Sequence, residues 1–286
     1  MAEKKVWTGT VDSVDEIEKL HSVLDKDCSN CRIVLRLNVD DESSEALVKL
    51  GSKYGCSVQE SEDIMKACQK YDMNVVGVAF HVGTGNQDST AFKRAISLSK
   101  EVFDKGKELG YEMNLLDFGG GWSGDLADFN LRNEKLEDLY NMIENTLEEK
   151  GFNEIPDLKL ISEPGRYFNH HTIDIACSII NVYKKDGRMI YRLNEGIMGI
   201  FKDVILTDHM GYIVESLSTS TELVPSSIIG PSKLTNDVIE KDIMLPVMKV
   251  GDPILFRRIG AYSLSLTALP LRKNQKCIYV IDERSL

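Results

Sequence analysis

Val75–His81 reads VVGVAFH, and Asn114–Gly121 reads NLLDFGGG. The first is a near-continuous apolar run of strand length that ends in a histidine. Such a run suits a parallel strand covered on both faces, because a half-solvated strand would alternate apolar and polar residues. The second is a strand, Asn114–Phe118, that runs into three glycines. Glycines at a strand end expose backbone N–H groups and tolerate positive φ. Gly119, Gly120 and Gly121 therefore fit a phosphate cradle, and equally a flexible strand-to-helix turn.

Working outward, the first half alternates strand and helix signals. Lys5–Thr8 is a short strand signal. Ser13 and Glu16 form a capping box ahead of Val14, Ile17, Leu20 and Leu24, which share one helical face. Arg32–Asn38 reads as a buried strand, followed by a helix over Ser44–Tyr54 and another capped by Ser61. Thr90–Leu109 and Leu136–Glu149 are helical, and Leu158–Ser162 is the next strand. Beyond Arg166 the rhythm changes. Thr172–Tyr183, Met189–Leu193, Val204–Leu206, Tyr212–Glu215, Ile254–Phe256 and Cys277–Ile281 read as short strands, with a turn at Lys185–Gly187 and a short helix near Asn236–Lys241. The expected organisation is an α/β unit over residues 1–166 and a mostly β unit over residues 167–286.

With 45 acidic and 34 basic residues, the formal charge is −11. That field disfavours nucleic acid and anionic membranes as partners. No stretch approaches a membrane span of about 20 apolar residues. The N-terminus has no signal-peptide pattern, so the cytoplasm is the expected location. The lone C-x-x-C at Cys28–Cys31 has no second pair at zinc spacing and reads as a loop with free thiols; no metal site is expected.

Single residues admit plain readings. His81 by itself reads as a satisfied core or loop histidine, and Asp117 as a buried hydrogen-bond partner. Glu163 and Arg166, in SEPGR at Ser162–Arg166, are charged groups after a strand. Arginine charge and glycine donors together could grip one phosphate.

The combination of motifs is more specific. RIVLRLNVDD at Arg32–Asp41, VVGVAFHVGTG at Val75–Gly85, LLDFGGGWSG at Leu115–Gly124, SEPGRYF at Ser162–Phe168, NEGIMGIF at Asn194–Phe201 and VGDPILFRRIGAY at Val250–Tyr262 occur in one order. In this the chain resembles the ornithine decarboxylase family, especially its non-catalytic antizyme inhibitors. The resemblance implies an incomplete pyridoxal-phosphate (PLP) decarboxylase-type (β/α) barrel, N-terminally truncated, with a C-terminal β domain. It implies that His81 stacks on the cofactor ring and that Thr84, Gly119, Gly120, Gly121, Arg166 and Tyr262 address its phosphate. Glu163 would face the ring nitrogen, and Asp208 would meet the substrate's distal amine.

The departures from the family pattern set the functional expectation. The family segment that carries the Schiff-base lysine precedes residue 1. In Ile229–Asp237 (IGPSKLTND), Lys233 stands for the family's catalytic cysteine and Leu234 for the neighbouring aspartate. Met198 stands for a tyrosine. The expectation is a pseudoenzyme without catalytic residues or stable cofactor, binding PLP weakly and non-covalently at most. Its role would be regulatory, in polyamine control. Antizyme or an ornithine decarboxylase-like chain would be its partner, with Glu16 and Lys19 as contact residues and a homodimer left open. The alternatives are a decarboxylase acting only with a complementary chain, and a heteromeric activator of a decarboxylase.

Overall fold

The structure is a computed structural model that describes residues 2–4, 6–39, 46, 48–86, 88, 90–122, 136–207, 212–267 and 278. The chain divides into two compact units, Met1–Tyr167 and Phe168–Leu286.

The first unit runs β1 (Thr8–Val11), α1 (Val14–Leu24), β2 (Arg32–Arg36), α2 (Val58–Lys70), β3 (Asn74–Ala79), α3 (Thr90–Glu108), β4 (Leu115–Asp117), α4 (Leu136–Glu149) and β5 (Lys159–Ile161). The five strands pair in sequence order, all parallel. Sequential order without reversal is the winding of a (β/α) barrel, not of a doubly wound sheet. One face of the sheet packs on the helices. There Ile33 and Leu35 of β2 meet Ile17 of α1, Met65 of α2 and Ile96 of α3, all buried. The opposite face carries a small cluster of Val34, Val76, Ala79 and Leu115, the barrel-interior side. Among the described residues β1 and β5 are not paired with each other, so the barrel is incomplete. β5 is solvent-exposed along its whole length, with Leu160 at 48% and Ile161 at 45% exposure.

The second unit is a six-stranded sheet in the order β10-β9-β7-β6-β11-β8. Its strands are β6 (Ile175–Lys185), β7 (Arg188–Leu193), β8 (Ile213–Ser216), β9 (Leu223–Ile229), β10 (Val238–Pro246) and β11 (Pro253–Arg257). α5 (Gly165–Asn169) begins before this sheet, and α6 (Lys202–Thr207) sits between β7 and β8. The β6–β7 hairpin turns on Asp186 (φ 50°) and Gly187 (φ 80°). Both central residues at positive φ match the strand twist of a tight hairpin, which is why Asp-Gly occurs there. Tyr191, Phe201 and Phe256 are fully buried at the centre of the unit's core.

Several sequence expectations are corrected. The helix expected at Ser44–Tyr54 is absent from its described part. Val48 instead exchanges backbone hydrogen bonds with Thr84, both at 3.2 Å, and residues 51–53 form a turn. The second helix is capped by Ser57 and Glu60 in a complete capping box, while Ser61 lies buried inside it. The first strand is Thr8–Val11, because its register is set by pairing with Arg32–Leu35. Val204–Leu206 belongs to α6, with Thr207 Oγ1 donating to the Asp203 carbonyl at 2.9 Å. Asn236–Lys241 enters β10, where pairing to β9 overrides the helix propensity of Glu240 and Lys241. The strand expected at Cys277–Ile281 lies outside the described residues except Ile278.

Asp237 holds the second unit's loops. It is 3% exposed, and its carboxylate accepts from the Ile197 amide at 3.0 Å and the Ser232 amide at 2.9 Å. Asp237→Ala is expected to cost about 2–4 kcal/mol, because two donors lose their acceptor. Asp237→Asn, which keeps one oxygen acceptor, should cost less. Urea denaturation measures both; a loss in Asp237→Ala below about 0.5 kcal/mol would show that the loops hold without it.

Candidate active site at the strand ends

The site is built where β2, β3, β4 and β5 end. Gly119 (φ 58°) and Gly121 (φ 99°) lie in the left-handed region that side chains disfavour. A Cβ on Gly119 would overlap the Phe80 carbonyl oxygen. One on Gly120 would lie 2.5 Å from His81 Nε2, and one on Gly121 would lie 2.6 Å from Val82 Cγ2. The three glycines therefore pack their main chain directly on the turn after β3. The Gly119 amide donates to Asp117 Oδ1 at 2.8 Å. The Gly119 carbonyl accepts from the Glu163 amide at 2.8 Å and from Trp122 Nε1 at 2.9 Å. Among the described residues, neither the Gly120 nor the Gly121 amide donates to a protein acceptor. The result is a side-chain-free turn with two amides that have no protein acceptor among the described residues, which fits an anion such as a phosphate.

His81 lies against this turn. Its Nδ1 accepts from the Gly83 amide at 3.0 Å, which leaves Nε2 as the ring nitrogen facing Gly120. Two carboxylates share the mouth. Burial pushes Asp117 above the usual aspartate range, opposed by the Gly119 N–H and the Arg36 charge. Glu163 is also pushed up, by desolvation first and then by the negative charge of Asp117, with Arg36 acting in the other direction. Arg166 follows three residues later and is buried at 5% exposure. The structure thus brings His81, Gly119, Gly120, Gly121 and Glu163 together, with Arg166 on the same strand-end segment.

Thr84 is half-buried, its backbone bonded to Val48. Tyr262 belongs to the second unit, where it is 41% exposed and holds φ at 53°. Asp208 lies outside the described residues. Lys233 is exposed, and Leu234 is 50% exposed on the loop that Asp237 anchors. On α1, Lys19 is paired with Glu16 at 2.9 Å on an exposed face.

Two residues of the site were missed in the sequence. Arg36 ends the apolar strand RIVLR, and its guanidinium sits 5.3 Å from the Tyr54 ring centroid. A charged residue closing a buried strand was the available signal. Trp122 was quoted only inside a longer motif; its position after three glycines gave no hint of its bond back to the first.

Residues 1–170 match the family described as pyridoxal-dependent decarboxylase, pyridoxal binding domain. The chain belongs to this family of PLP-dependent decarboxylases. More narrowly, it is a relative of the ornithine, arginine and lysine decarboxylases. It is 32% identical over 277 residues to ornithine decarboxylase of Schizosaccharomyces pombe, covering 92% of this chain and 60% of that protein. It is 31% identical over 254 residues to antizyme inhibitor 2 of Xenopus laevis, covering 84% of this chain and 54% of that one. Among solved structures, the Paramecium bursaria Chlorella virus arginine decarboxylase bound to agmatine superposes with a TM-score of 0.81 at 30% identity. It covers 93% of this chain and 70% of the viral one. The chain spans 54–66% of the length of the curated relatives it matches.

These matches overturn the pseudoenzyme expectation. The solved structures that share this fold over 93% of the chain are decarboxylases, one holding agmatine and another, a lysine decarboxylase at 27% identity, holding PLP and cadaverine. The expectation rested on the family's lysine-bearing segment preceding residue 1 and on Lys233 and Leu234. The last two lie on an exposed loop. The likeness also does not single out the antizyme inhibitors, since ornithine decarboxylases match equally well.

The raised pKa of Asp117 has a definite sign in stability. The folded state holds this proton more tightly than the unfolded chain, so the contribution is full below the ordinary aspartate range. It is lost as pH rises through the raised value. The stability difference between wild type and Asp117→Asn should therefore shift against wild type as pH rises from the ordinary aspartate range through the raised value. Urea midpoints at several pH values measure this. A difference that stays constant, or moves in favour of wild type, would contradict the assignment.

Proposed function

We propose that this chain carries the phosphate- and ring-binding half of a PLP-dependent decarboxylase of basic amino acids. Further β/α units would seal the seam between β1 and β5 and supply the lysine that anchors the cofactor's aldehyde. The observation that carries this reading is the pair of available amides at Gly120 and Gly121, locked on His81, with Glu163 bonded into the same turn. Gly120 and Gly121 would donate to the phosphate, and Arg166 would balance its charge. The His81 ring would lie against the cofactor ring. The Glu163 carboxylate would face the pyridine nitrogen and hold a proton there by pairing with its protonated form. Bound PLP supplies an electron sink for the pair left behind when carbon dioxide departs. Substrates of the arginine, lysine and ornithine class are supported by the names of the relatives and by agmatine in the viral structure.

The test is carbon dioxide release from labelled arginine, lysine and ornithine with PLP. The chain would be co-expressed with a polypeptide carrying the N-terminal β/α units of the S. pombe enzyme. Release is expected from the pair, falling about 100-fold or more in Glu163→Ala. No release, while the S. pombe enzyme split at the same point is active, would sink the proposal. Association with antizyme is a second proposed partnership, supported by the match to antizyme inhibitor 2. It would use the α1 face bearing Glu16 and Lys19. Calorimetry should show heat that is lost in the joint Glu16→Lys, Lys19→Glu variant; no heat would remove antizyme from consideration.

A further inference from the structure

We infer that Trp122 is a positioning residue, whose indole N–H fixes the Gly119 carbonyl and so aims the Gly120 amide at a bound anion. The inference rests on the reading of Gly119–Gly121 as a phosphate cradle.

Three observations carry it. First, the Gly119 carbonyl accepts two bonds, from Trp122 Nε1 at 2.9 Å and from the Glu163 amide at 2.8 Å. Both lone-pair directions of one oxygen are then occupied, which opposes rotation of the 119–120 peptide. Second, a trans peptide points its C=O and N–H in opposite directions. Holding the carbonyl towards the indole and Glu163 therefore turns the Gly120 N–H the other way, and among the described residues that amide has no protein acceptor. Third, the indole cannot swing freely. It lies 4.8 Å from the Phe92 ring on α3 and 6.1 Å from the Tyr140 ring on α4. Phe92 in turn meets Phe80, which meets Phe118. The aromatic series ties the donor to the helices and to both strand ends that the glycines join.

A ring that only filled space would need no N–H. Phenylalanine would then serve as well, and this difference is what the experiment reads. Gly119 at φ 58° has no side chain to limit its peptide orientation, so restraint has to come from bonds to its oxygen. Losing one of two neutral bonds corresponds to roughly a fivefold to tenfold loss of affinity for the anion.

The probe is pyridoxine 5′-phosphate, which has the phosphate and ring but no aldehyde, with pyridoxine as the phosphate-free control. Both are titrated by calorimetry into the 286-residue chain, into Trp122→Phe, and into a protein carrying benzothienylalanine at position 122. That residue keeps the bicyclic shape and replaces the N–H with sulfur. Wild type should prefer the phosphate ligand. Both variants should bind it about fivefold or more weakly, bind pyridoxine as wild type does, and melt at nearly the wild-type temperature. If Trp122→Phe melts early, the benzothienylalanine protein decides the matter. Unchanged binding of the phosphate ligand in that protein would overturn the role of Trp122 and leave the cradle reading intact. A wild type that does not prefer the phosphate ligand would overturn the cradle reading and this inference with it.

Discussion

The main chain of Gly119–Gly121 rests directly on the turn after β3, with no room for a single Cβ between them. The arrangement at the open end of the sheet follows from that contact. It draws the ends of β3 and β4 together, sets the His81 ring against Gly120, and turns the Gly119 carbonyl towards the segment after β5. Glu163 is then bonded in through its own amide. Three successive strand ends are thus joined by backbone geometry, and the side chains that face the mouth inherit their positions from it.

The same contact accounts for the electrostatics. Asp117 is buried because its strand ends under the glycine turn, and it is kept tolerable there by the Gly119 N–H and by Arg36. Its charge reaches Glu163 and makes that carboxyl slower to give up its proton. Arg36 opposes both effects from the end of β2. Two carboxylates at adjacent strand ends are thus biased towards their protonated forms, with the charge of Arg36 acting against that bias. The incomplete wall bears on this chemistry. β5 is exposed, and Glu163 follows it on the same open edge. Covering that edge would remove water from beside Glu163 and push its carboxyl further in the same direction.

Much of the first unit was legible in the sequence because its elements are set locally. Apolar strands such as Asn74–Ala79 and long amphipathic helices such as Thr90–Glu108 announce themselves by periodicity. The strand-end positions of the glycines and His81 were legible, while their residue types alone read equally as a turn and as a core or loop histidine; only the order of motifs along the chain joined them. What could not be read depends on partners distant in the chain. Val48 becomes a bridge residue because Thr84 meets it, and Val238–Lys241 becomes strand because β9 lies alongside. Trp122 and Arg36 were missed for the same reason. Trp122 matters through its bond to the Gly119 carbonyl and Arg36 through its charge beside Asp117 and Glu163, which no short window displays. The expectation of inactivity failed differently. It rested first on the family's lysine-bearing segment preceding residue 1 and then on two substitutions on an exposed loop, and neither outweighs the likeness to decarboxylases over 93% of the chain.

The central claim is that the first unit contains a phosphate site formed by the amides of Gly120 and Gly121. Amide spectra of the isotope-labelled 286-residue chain, titrated with PLP and separately with pyridoxal, test it most directly. The account predicts saturable shifts of the Gly120 and Gly121 signals with PLP, with Trp122 Nε1 following them, and no comparable shifts with pyridoxal. Binding of PLP that leaves both glycine amides unmoved would contradict it.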